Sequence, residues 1–112
     1  MDLEQVKDEY FFTACDYYVA GRFAFWARSM SICGTQFHHA LEMFLKGHLL
    51  LAYTVDEVSA LGHDLPKIWE LFKRTVGDPR LDAFDRMIGN VHAFEANPVP
   101  GGDLRAWRAI PS

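Results

Sequence analysis

The chain has 112 residues, enough for one domain with a single core and too few for two. Half of it is apolar, with nine Phe, four Tyr and three Trp, more rings than a lone small domain can hide, which predicts a partner surface. A formal net charge of -4 excludes a global pull toward nucleic acid, so any RNA contact would rest on a local patch or a basic partner.

Four helices account for most of the sequence, and few stretches alternate as a half-buried strand would. Asp2 followed by Gln5 is a capping-box pattern, and it opens a first helix that runs to about Arg28. Ser29, Met30 and Ser31 supply cap candidates for a second, which continues to about Tyr53. The segment from Asp56 to Gly62 connects, with room for one short turn. Asp64 caps the third helix, with Pro66 in its first turn, where a missing N–H is harmless. That helix turns Leu65, Ile68, Trp69 and Phe72 inward and stops near Gly77.

Asp78-Pro79 starts the fourth, in which Leu81, Phe84, Ile88 and Val91 recur at helical spacing. Asn97-Pro98-Val99-Pro100-Gly101-Gly102 ends it, and Leu104, Trp107 and Ile110 suggest one loose final helix in the tail. The expected fold class is all-α, an up-and-down four-helix bundle over residues 1–96 with a Pro/Gly-rich corner and tail over 97–112. The acidic start is unlike a signal peptide, and the apolar run near Leu49–Tyr53 is too short for a bilayer, so a soluble, cytoplasmic protein without membrane contact is expected. Cys15 and Cys33 match no zinc spacing and read as reduced thiols.

On a helical wheel the second helix gathers Phe37, Leu41, Phe44, Leu45, His48, Leu51 and Ala52 on one broad face, His48 reading as a buried or half-buried ring. His39, Glu42, Lys46 and Tyr53 form a narrow strip opposite. The first helix has a small-residue face of Ala14, Tyr17, Gly21 and Ala24, suited to close packing, and a second apolar face of Phe12, Val19, Phe23 and Trp26. A helix apolar on two sides must be covered on two sides. The bundle core supplies one cover, and a second copy of the chain is expected to supply the other, making a homodimer.

Three landmarks in order resemble the HEPN domain, a small helical module of prokaryotic toxin–antitoxin, nucleotide-handling and RNA-cutting systems. They are Ala14-Cys15-Asp16-Tyr17-Tyr18-x-Ala20-Gly21-Arg22, then Phe37-His38-His39-Ala40-Leu41-Glu42 with Lys46, then His63-Asp64-Leu65. The likeness covers roughly residues 10 to 95. It implies a dimeric helical bundle, a nucleotidyltransferase-type protein partner as in several members, and a nucleotide or RNA as ligand. Some members are metal-free ribonuclease toxins that use an Arg and a His with four to six residues between them.

Arg86 and His92 are the candidates here, as phosphorane stabiliser and general acid/base. Residues six apart differ by roughly 120° around a helix, so His92 lies near Leu81 on the apolar face while Arg86 points away. The preferred reading is therefore a non-catalytic module, with the ribonuclease as the alternative. The polar strip reads in three ways: Arg22, His39 and Lys46 as phosphate donors oriented by Glu42 and Asp64; Glu42–Lys46 as an ordinary surface pair; or Glu42 and His63 as a polar clasp between the second and third helices, with Asp64 as cap. The clasp is preferred. A metal-dependent bundle enzyme built on His38, His39, Glu42, His63 and Asp64 is disfavoured, because di-metal bundles repeat Glu-x-x-His on paired helices and none occurs here. No cofactor is expected.

Overall fold

The computed structural model describes residues 2–96, and all regular structure there is helical. Five α-helices, α1 (Leu3–Trp26), α2 (Met30–Leu49), α3 (Val55–Ser59), α4 (Leu65–Val76) and α5 (Asp85–Ala96), are joined by short turns. A 3₁₀ segment over Pro79–Phe84 leads into α5. No helix among these residues is long and apolar enough to cross a membrane. The expected final helix with Leu104, Trp107 and Ile110, and the corner from Asn97 to Gly102, lie outside the described residues.

The chain ends its helices where side chains satisfy the backbone. Asp2 accepts from the Gln5 N–H at 2.8 Å, and the Gln5 amide oxygen accepts the Asp2 N–H at 3.1 Å. Thr54 and Glu57 make a second reciprocal box, which gives five-residue α3 its start. Asp64 caps α4 through the Lys67 N–H, and Gly77 closes it in the left-handed conformation, φ +73°. The α1–α2 turn instead places Arg28 at φ +61°, where a side chain is disfavoured.

The fourth expected helix is divided. Asp78 and Pro79 do begin it, but the first six residues wind as 3₁₀. In that tighter winding residues three apart eclipse, and Asp82 and Asp85 both reach the Lys73 ammonium, at 3.1 and 2.8 Å. The same winding turns Phe84, expected inward, 40% into solvent, while Ile88 and Val91 are buried.

α2 is the central helix. Against one side lies α1, antiparallel: Tyr10 approaches Gly47, Phe11 meets Phe44, Tyr17 meets His39, and Gly21 meets Phe37. The expected small-residue face is the one in contact, with Ala14, Gly21 and Ala24 buried. Against the other side lies the main core, where Leu45 and Leu49 pack with Leu65, Ile68, Ile88 and Val91. Glu42 with His63, His48 with Phe72 and Tyr53 with Thr75 advance together along both segments, so α4 follows α2 in the same sense. Residues 50–64, including α3, carry the chain back between them.

This two-sided burial corrects the single broad apolar face read for α2. Phe44, His48, Leu51 and Ala52 are exposed, Phe44 against Phe11 and His48 beside Phe72. Glu42 and Lys46, read as part of a strip facing away, are 0% and 4% exposed. The helix also ends at Leu49 rather than Tyr53, because Leu50 to Tyr53 turn to begin the return.

Candidate functional site

The polar centre of the molecule is the carboxylate of Glu42. Lys46, one turn on, donates to its Oε2 at 3.2 Å. The same ammonium donates to the Gly62 carbonyl at 2.5 Å. Gly62 adopts φ +64°, a conformation that favours glycine. His63, next along, brings Nδ1 to 2.9 and 3.0 Å from the two Glu42 oxygens. A carboxylate accepts only, so this nitrogen carries the proton and Nε2 is the outward atom. Glu42, Lys46, Gly62 and His63 thus bind α2 to the corner that begins α4, and Asp64 caps that helix beside them. The interaction is buried, unlike the surface pair weighed from sequence. Its carboxylate receives the hydrogen bonds that a charge needs inside a protein.

A row of aromatic and imidazole rings continues from this clasp. His39 is half-buried against Tyr17, ring centres 5.0 Å apart. His38 is 2% exposed and lies between His39, at 5.9 Å, and His92 of α5, at 6.0 Å. The Nδ1 of His92 is buried and makes no hydrogen bond among the described residues. Donor atoms of His38, His39 and Glu42 all fall within 4.8 Å of one another, which makes them a set able to approach one cation.

The remaining sequence candidates are distributed differently. Arg86 is exposed on α5, while His92 turns toward His38 rather than to open solvent. Arg22 is exposed on α1, and the Lys46 ammonium is engaged by Glu42 and the Gly62 carbonyl. Wheel geometry put Glu42 beside His39 and Lys46 but did not bring His38 and His92 together, because a helical wheel says nothing of α5 arriving alongside α2. Phe12, Val19, Phe23 and Trp26 are 64, 65, 78 and 73% exposed. Beside them an open groove of about 610 Å³ runs between α1 and the start of α2, lined by Asp16, Val19, Ala20, Phe23, Ala27 and Ile32 among others.

Cys33 is fully buried, and burial pushes its thiol up to about 11, so it is neutral and inert at physiological pH. Compared with protein-family models, curated proteins and solved structures, the chain gives no match.

Proposed function

We propose that the protein is a non-catalytic, HEPN-like helical module whose work is protein association, beginning with its own dimerisation through α1. One observation carries this reading: four large apolar side chains on a single face of α1 are each about two-thirds or more exposed, next to an apolar groove. Isolated exposed hydrophobics are ordinary, but a continuous strip along one helix is the mark of an interface. A two-fold partner covers such a strip with the same strip, which needs no second gene product.

The HEPN-like four-helix bundle is supported by two features. The residues carrying the resemblance, Glu42, Lys46, His63 and Asp64, converge on one corner, and Gly21 packs under Phe37. Its helix order includes the return through α3 rather than strict up-and-down alternation. A nucleotidyltransferase-type partner and a nucleotide or RNA ligand belong to the proposal through the resemblance alone. The ribonuclease alternative is less well supported, since Arg86 and His92 lie on different sides of α5.

Light scattering on the purified chain tests the proposal. A dimer at micromolar concentration that Phe23→Glu converts to a folded monomer supports it; a parent that stays monomeric rejects it. Growth arrest on expression, relieved by His92→Ala, would instead establish the ribonuclease.

A further inference from the structure

We infer that His38, His39 and Glu42 form a site for one divalent transition cation of the zinc class, completed by His92 from α5. The three donors occupy i, i+1 and i+4 on α2, and their ligand atoms lie within 4.8 Å of one another. Two ligands of one tetrahedral zinc ion, each at about 2.0–2.1 Å, stand about 3.4 Å apart. Donor atoms as much as 4.8 Å apart must therefore close by about 1.4 Å, a movement that rotation about the side-chain torsions would have to supply. His38 and Glu42 are almost wholly buried, so these ligands are held in place before the ion arrives.

His92 stands beside this group, outside the set of atoms within 4.8 Å, and would turn toward the ion to complete its shell. Its ring centre is 6.0 Å from that of His38, and its Nδ1 is buried without a hydrogen bond among the described residues. A buried polar nitrogen left unsatisfied is costly, and coordination is one way to satisfy it. The ion would tie α5 to α2.

The charge balance decides which ions fit. Lys46 already offsets the charge of Glu42, and with His63 it orients the carboxylate. What remains for an ion is imidazole nitrogen rather than net negative charge. That suits Zn²⁺, Co²⁺, Ni²⁺ or Cu²⁺ and is poor for Mg²⁺ or Ca²⁺, which want oxygen cages.

The test uses the full-length, tag-free chain after chelator treatment, titrated with Co²⁺ and Zn²⁺. The expected result is one equivalent bound, with visible Co²⁺ absorption that Zn²⁺ abolishes and millimolar Mg²⁺ leaves unchanged. His39→Ala and His92→Phe should each weaken binding at least about tenfold, while His48→Asn should leave it unaltered. Circular dichroism confirms that each variant is folded, and His92→Phe decides the matter if His39→Ala is not. No stoichiometric binding by the parent, or affinity within twofold of the parent in the folded variants, would overturn the inference. Dimerisation is read separately by light scattering, so failure of one reading leaves the other standing.

Discussion

The imidazole of His63 is 78% exposed, yet its Nδ1 closes at 2.9 Å on a Glu42 carboxylate that is fully buried. An outward residue of a corner thereby satisfies an inward residue of the central helix, with Lys46 completing the same hydrogen-bonded group. The buried charge is tolerable only while all its partners are present.

Removing either member of the ionic pair should therefore be costly, and removing both much less so. Glu42→Ala leaves the Lys46 ammonium buried with only the Gly62 carbonyl, and a stability loss of about 3–5 kcal/mol is expected. The double variant Glu42→Leu/Lys46→Met should recover most of it, because apolar replacement of a buried pair is often neutral or better. Urea denaturation of the two singles and the double measures the coupling. Additive losses would show that the two charges do not depend on each other.

Much of the local structure was legible in the sequence because local chemistry determines it. Asp2 with Gln5, Asp64 with Pro66, and Gly77 all mark helix ends by short-range hydrogen bonds, and the structure has them there. The close-packing face of α1 was equally readable from its small residues. The orientation of α2 was not, since a wheel assumes one buried face and this helix has two. Glu42 and Lys46 look solvent-facing by composition, and only His63 and Gly62, some twenty residues on, make their burial affordable. The 3₁₀ start of the last helix also escaped, as did the contacts of Asp82 and Asp85 with Lys73 of another helix.

Asp85 gives the fold a defined acid sensitivity. Hydrogen bonds from the Lys73 ammonium and then the Trp69 indole N–H, the latter at 2.6 Å, hold its carboxyl below the ordinary value of 3.8. A lowered folded pKa contributes stability that is complete above the unfolded value and is lost as pH falls through the folded one. Stability of the parent should accordingly decline as pH drops below 3.8, and Asp85→Asn should flatten that decline. Thermal melts across pH 2 to 6 compare the two. Identical acid limbs in parent and variant would remove Asp85 as a contributor.

The two thiols should separate cleanly in reactivity. Cys33 is buried with its pKa raised to about 11, whereas Cys15 is only half-buried. A thiol-specific reagent at pH 8 should modify Cys15 first in the native protein, with Cys33 reacting on the timescale of unfolding. Cys15→Ser should then leave a native protein almost unreactive until denaturant is added. Rapid modification of Cys33 in that variant would mean that the α1–α2 contact opens far more readily than its burial indicates.

Two glycine substitutions, chemically identical, should have opposite signs. A methyl group at Gly21 would lie 2.6 Å from the Phe37 ring, closer than two carbons can approach, and Tyr18 lies against the same ring. Overpacking of this kind costs about 1–3 kcal/mol, against a gain of about 1 kcal/mol in helix propensity, so Gly21→Ala should destabilise by about 1 kcal/mol. At Gly89, exposed on α5, a methyl group meets nothing within 4 Å. Only the propensity gain remains there, and Gly89→Ala should stabilise by up to about 1 kcal/mol. The difference between the two denaturation midpoints isolates the α1–α2 contact from backbone effects common to both sites. A stabilising Gly21→Ala would show that Phe37 swings aside freely and that α1 is not held to α2 at this crossing.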